Sequence, residues 1–153
     1  MKDGYVVRGA KLGDAKKILS LLEEWLGPSS HNRTESVADA IANQEILVAA
    51  RSSSLVGLIH FVVHSDIIDG APNAFITAFY VRELDRRAGV GTSLLEETIA
   101  AVRAKGVVSV ETSTTRKAAM RFYEKRGFKQ SFGDLGEQFL ELDVDRSHRG
   151  EAQ

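Results

Sequence analysis

The chain has 153 residues, 43% of them apolar and 27% charged, with a formal net charge of −1 and no cysteine. This is the length of one domain with enough material for a sizeable core. The near-balanced charge gives no reason to expect nucleic acid or an anionic membrane as a partner, and the lack of thiols excludes disulfides, thiolate metal sites and a cysteine-linked acyl-enzyme.

The first residues, Met1 to Tyr5, lead to no signal-peptide core, and no apolar run approaches spanning length. Both features point to a cytoplasmic protein. Residues 5–8 read as a first strand. Asp14 is placed to cap a helix over 15–26, with Ile18, Leu22, Trp25 and Leu26 on one side and Gly27-Pro28 as the stop. A second helix begins near Asn32, with Glu35 positioned to close a capping box and Val37, Ala38 and Ile41 facing inward. Strands over 45–51 and 55–64 flank the turn Ser52-Ser53-Ser54. Asp69-Gly70 and Pro72 supply turn chemistry. Residues 74–81, apolar on both faces, then form a strand central in the sheet.

A helix over 92–104 ends at Lys105-Gly106. A strand over 107–112 follows it, giving a strand–helix–strand crossover with parallel strands. A helix over 116–126, capped by Gly127, pairs Ala118 with Phe122 and Ala119 with Tyr123 at helical spacing. Residues 128–131 and 137–144 close the chain as two strands. Residues 1–145 thus read as one α/β domain with a mixed sheet, and residues 146–153 as a polar, frayed tail.

The chemistry concentrates in residues 82–102, where Arg86, Arg87, Gly89 and Gly91 stand at the mouth of a helix. A helix start offers unpaired backbone N–H groups and a positive dipole end. Glycines permit close backbone approach and left-handed angles, and arginine stays charged at any working pH. Together these describe an anion cradle, although a glycine-bearing loop with solvated arginines uses the same residues. A P-loop is excluded because no lysine follows Gly91. A dinucleotide fingerprint fits poorly: Glu111 lies at the expected distance, but Leu94 occupies the third glycine's place and the preceding chain is a meander.

The pattern Arg86-x-x-Gly89-x-Gly91 after an apolar strand resembles the acyl-CoA pyrophosphate loop of the GNAT superfamily of N-acetyltransferases. A second match supports it: Tyr123, Glu124, Gly127 and Phe128 resemble the end of that family's later helix. The element order agrees over about residues 5–144. The resemblance implies a mixed, mostly antiparallel sheet with a splayed central strand pair and about four helices. It implies that backbone groups of Phe79, Tyr80 and Val81 pair with the pantetheine arm of acetyl-CoA. Arg86, Arg87, Ala88, Gly89, Val90, Gly91 and Thr92 would hold the pyrophosphate. Arg116 stands where the family often places a cofactor-contacting asparagine; Arg116 turned toward phosphate, or Ser113, Thr114 or Thr115, are the candidates for that contact. Tyr123 matches the family's general acid, which protonates the departing sulfur. Homodimers are common in the family.

The implied reaction is direct acetyl transfer from acetyl-CoA, with no metal, to a small-molecule, peptide or protein amine. A phenol suits the acid role because it keeps its proton at neutral pH. Glu111 is the catalytic carboxylate candidate for taking the amine proton, beside the implied thioester gap. His60 and His64 share a strand face roughly 13 Å apart at ~3.3 Å per residue, too far for one metal ion. His64-Ser65-Asp66 holds triad residue types but not a triad's arrangement. Glu35, Asp66 and Asp69 are acids that could attract a cationic amine. A catalytically silent acyl-CoA-binding module of the same fold is the other reading open on these residues.

Overall fold

The computed structural model describes residues 4–130 and 138–144. Its strands are β1 (Val6–Gly9), β2 (Ile46–Arg51), β3 (Ser54–Ser65), β4 (Pro72–Val81), β5 (Ser109–Thr114), β6 (Lys129–Gln130) and β7 (Gln138–Asp143). The helices are α1 (Ala15–Leu26), α2 (Thr34–Ala42), α3 (Val90–Ala104) and α4 (Lys117–Glu124). The strands form one mixed sheet in the order β1-β2-β3-β4-β5-β7-β6. The mixed sheet, the crossover and the four helices match the fold expected from the sequence. Two compact units divide the residues: Met1–Phe61 with Ala78–Thr98, and Val62–Thr77 with Ile99–Gln153.

In the first unit, β1 and β3 both pair antiparallel with β2. The serine turn forms as expected, with Ser52 in the left-handed region at φ 55°. Ile18 and Leu21 of α1, Val37, Ala40 and Ile41 of α2, and Ile46, Val48, Leu55 and Leu58 of the strands make one apolar cluster. Each such side chain contributes roughly 1.5–3 kcal/mol when fully buried. Leu26 was expected on the inner face of α1 but is 54% exposed, and Leu21 is buried instead. At about 100° per residue, Leu21 and Leu26 flank opposite edges of the Ile18–Trp25 stripe, and the core covers the Leu21 edge.

Both expected helix caps differ. A short 3-10 turn, Leu12–Asp14, precedes α1. Asp14 makes no cap bond to the helix; its carboxylate accepts the Lys11 N–H at 2.7 Å and two bonds from Arg8 at 2.7 and 3.0 Å. Helix α2 starts at Thr34, and the Thr34 N–H donates to Asn32 Oδ1 at 2.8 Å. With Asn32 already spent on that turn, the position before the helix is Arg33, which has no side-chain cap, so the capping box with Glu35 does not form.

In the second unit, β4 and β5 run parallel from Asn73↔Ser109 to Ile76↔Thr112. β7 pairs antiparallel with β5 and with β6. β5 begins two residues later than expected, and Val107 still closes the end of α3. Gly106 at φ 82° ends α3 with its N–H on Arg103 O at 3.0 Å and that of Val107 on Val102 O at 3.1 Å. The Val108 N–H then reaches Pro72 O at 3.0 Å. Helix α4 is shorter than expected at both ends: Arg116 is extended, and Gly127 turns the chain at φ 92°. Ser131, Glu137 and the tail 146–153 lie outside the described residues.

The Arg8–Asp14 pair makes acid stability testable. Its hydrogen bonds from Arg8 hold the buried Asp14 carboxyl at about 2, against the desolvation that opposes them. The folded-state pKa is therefore below the unfolded value of 3.8. The pair's stabilisation, on the order of 2 kcal/mol, is present above that unfolded value and is lost as pH falls toward 2. Urea unfolding at a series of pH values should show Asp14→Asn less stable at pH 7 and its stability curve flatter between pH 5 and 2.

Candidate active site

The C-terminal end of β4 is held by contacts on several sides. The Tyr80 ring stacks on Trp25 with centroids 5.1 Å apart and planes 13° apart. The Arg86 guanidinium lies 5.7 Å from the Tyr80 centroid, and Arg86 Nε donates to Val81 O at 2.9 Å. Behind the strand is Gly57, where a Cβ would lie 3.0 Å from Tyr80 O and 3.1 Å from Leu94 Cδ1. That glycine is required for space. The Arg82 N–H then bonds Val56 O at 2.9 Å, and the Arg82 side chain pairs with Glu24 at 3.6 Å.

A 3-10 turn over Glu83–Asp85 follows. The Asp85 carboxylate is buried against Arg51 of β2, in an ion pair. The chain then passes through two left-handed residues, Arg87 at φ 68° and Gly89 at φ 83°. Helix α3 starts at once: the Ser93 N–H bonds Gly89 O at 3.0 Å. Val90 is buried and anchors the turn, while Arg86 and Arg87 are exposed. Tyr5 Oη and Ser93 Oγ, 2.9 Å apart, tie the helix's first turn to the N-terminal segment. The helix begins two residues before the expected position, so Gly91 and Thr92 lie inside its first turn. Phe79, Tyr80, Val81 and Ala88 are half-buried around this segment.

In the second unit, Tyr123 of α4 is 5% exposed. Its ring packs edge-on to Phe122 and tilted against Phe128, with centroids 5.5 and 5.1 Å away. Thr112, itself buried, is the polar side chain that acts on its hydroxyl. Thr112 Oγ1 also donates to Ile76 O at 3.2 Å, at the last pair of the parallel ladder. Burial pushes the Tyr123 phenol up to about 12, against a smaller downward pull from Thr112. A hydroxyl has one proton, and that of Thr112 is given to Ile76 O. When the phenol loses its proton, the Thr112 hydrogen can turn to the phenolate.

The remaining candidates are dispersed. Glu111 alternates with the buried Val110 and Thr112, so it faces the opposite side of the sheet from the Thr112–Tyr123 contact. Its register partners are Phe75 and Glu141. His60 is half-buried, its pKa lowered by desolvation with Glu45 opposing, and His64 is exposed. Asp66 and Asp69 build their own loop: Asp66 Oδ1 accepts the Ile68 N–H at 2.7 Å and Asp69 Oδ1 the Ala71 N–H at 2.8 Å. Glu35 and Arg116 are exposed, and the Arg116 N–H bonds Thr114 Oγ1 at 3.1 Å. Sequence spacing did not single out Thr112. The one available signal was a polar residue on the buried phase of β5. Among the described residues no His, Asp or Glu cluster is arranged to hold a metal ion, and no helix is long and apolar enough to cross a membrane.

The family model of the acetyltransferase (GNAT) family matches residues 15–128, which include both the arginine–glycine loop and Tyr123. The chain belongs to the GNAT acetyltransferase family. The fold agrees with solved structures from that family. One is Arabidopsis thaliana Naa50 in complex with the bisubstrate analogue CoA-Ac-MVNAL, at 20% identity, with 92% of this chain and 99% of that one covered and a TM-score of 0.73. Another is the paia N-acetyltransferase of Thermoplasma acidophilum in complex with coenzyme A, at 19% identity, 91% and 98% coverage and a TM-score of 0.70. An apo agmatine N-acetyltransferase variant superposes with a TM-score of 0.78 at 13% identity, covering 92% of this chain and 100% of that one. No curated protein sequence matches the chain significantly.

Gly89 of this GNAT loop serves its backbone angle. At Gly89 a Cβ would meet Tyr5 Oη at 3.7 Å, an ordinary contact, so the glycine is needed for its φ of +83° rather than for room. Gly89→Ala should therefore cost about 1–2 kcal/mol in urea unfolding, with the loss arising at the start of α3.

Proposed function

We propose that this GNAT protein is an acetyl-CoA-dependent N-acetyltransferase that uses no metal and whose acceptor is an amine on a small molecule, a peptide or a protein terminus. The observation that carries the reading is the abrupt start of α3 at Val90, directly after two left-handed residues and beside two exposed arginines. That arrangement fits a diphosphate in two ways. The first-turn N–H groups have no acceptor within the helix, so they suit phosphate oxygens. Arg86 and Arg87 supply charge that does not titrate. Ala88, Gly89, Val90, Gly91 and Thr92 offer the main chain for that contact, and Phe79, Tyr80 and Val81 offer backbone groups to the pantetheine arm. Arg116 is the exposed residue at the start of α4, and its guanidinium is the candidate for a phosphate contact there. The solved relatives bound to coenzyme A or a CoA-linked peptide analogue support the choice of cofactor. Naa50 and the agmatine enzyme support both peptide and small amines as acceptors.

In the reaction, a neutral amine nitrogen bonds to the thioester carbonyl carbon, the carbon–sulfur bond breaks, and the amine proton passes to water or a base. Tyr123 assists the departing sulfur. Its burial decides how. A phenol at about 12 is roughly 3–4 units weaker as an acid than an ordinary thiol, so complete transfer to the thiolate is uphill by about 5 kcal/mol. Tyr123 therefore acts first as a hydrogen-bond donor to the developing negative charge. Thr112, able to turn its own proton to the phenolate, lowers the cost of any further transfer. Glu111 faces away from this pair, and the amine proton is better assigned to water.

Calorimetric titration with acetyl-CoA, followed by a thiol-release assay over an amine panel, tests the reading. Binding with turnover on at least one amine is expected, and no affinity for acetyl-CoA would overturn it. Tyr123→Phe should lower kcat about 10²–10³-fold while changing acetyl-CoA affinity less than threefold; full turnover would remove Tyr123 from the reaction. Because the phenol keeps its proton until about pH 12, wild-type kcat should rise with amine deprotonation and show no Tyr123 limb below pH 10 in a pH–rate profile.

A further inference from the structure

We propose that Arg51 is a positioning residue for the diphosphate loop: its ion pair with the buried Asp85 keeps that carboxylate from occupying the loop's own arginines. This rests on the reading of residues 86–92 as the diphosphate cradle. Asp85 immediately precedes Arg86, and its carboxylate is buried at the edge of a segment built to attract anions. A carboxylate there has two harmful options. It can repel the diphosphate, or it can pair with Arg86 or Arg87 and use up the charge meant for phosphate. Arg51 removes both by taking the carboxylate as its own partner.

The other charges nearby do not replace it. Arg82 is committed to Glu24 at 3.6 Å. Arg86 is held by the Tyr80 ring and by Val81 O, and it is in no ion pair among the described residues. Glu83 faces water, where its charge is screened. Arg51 is suited to the role because it sits at the end of β2, where its register partner Ser54 and the two-residue serine turn fix its backbone. Its side chain is 39% exposed while that of Asp85 is 7% exposed. The pair therefore places the carboxylate inward and leaves the guanidinium in contact with solvent.

The test compares coenzyme A and pantetheine, which lacks phosphate, on wild type, Arg51→Gln, Asp85→Asn and the double variant, well below each protein's unfolding midpoint. Arg51→Gln should weaken CoA binding at least tenfold and lower the ratio of CoA to pantetheine affinity by the same factor. The double variant should recover most of that ratio, because the misplaced carboxylate is gone as well. CoA affinity unchanged in Arg51→Gln overturns the proposal, as does an equal loss for pantetheine or a double variant no better than the single. The cradle reading has its own control. If the Arg86→Ala, Arg87→Ala double variant loses CoA affinity while Arg51→Gln does not, the cradle stands and Arg51 falls. If wild type does not bind CoA, both fall.

Discussion

Helix α3 has to begin immediately after Arg87 and Gly89, and both residues have to be left-handed for it to do so. An L-residue at such an angle costs roughly 1–2 kcal/mol, so the surroundings must hold Arg87 there. They do so from each direction. Val90, Leu94 and Leu95 bury the inner face of the helix. Ser93 is tied to Tyr5. Upstream, the Arg82 backbone is bonded to β3, Asp85 is locked to Arg51, and Gly57 lets the Tyr80 carbonyl of β4 pack close. The first turn of α3 thus lies beside two exposed arginines, and the proposed cofactor chemistry follows from that placement.

Each unit has its own chemistry. The first concentrates positive charge and backbone donors, which suit phosphate. The second buries a phenol on a threonine and keeps it protonated. Desolvation, rather than a nearby charge, dominates the shift at Tyr123. Its contribution is to hold the proton through the working pH range and to strengthen hydrogen bonding in a poorly solvated setting. It also makes complete proton transfer expensive, which is why Thr112 matters to the proposed step.

The arginine–glycine pattern was legible because its physics is local. Left-handed glycine and a helix start are set by neighbouring residues, and the family match over residues 15–128 agrees with the pattern. Strand and helix identities were legible for the same reason, since periods of 2 and 3.6 are written along the chain. Boundaries were less so. β5 starts late because Val107 is taken up in closing α3, and Glu35 forms no box because Asn32 bonds Thr34 first. Asp66 and Asp69 read as candidate amine attractors, yet both carboxylates are bonded to backbone in their own turn.

By itself, the sequence determined the family, the order of elements and the residue types at the loop and at Tyr123, all of which rest on short-range spacing. Only the tertiary structure decided that Leu21 rather than Leu26 faces the core, that Thr112 is the polar side chain acting on the Tyr123 phenol, and that Arg51 neutralises Asp85 across a separation of 34 residues. Contacts of that kind depend on how strands register and helices rotate when they pack. No spacing along the chain encodes which distant side chain will fill a given vacancy.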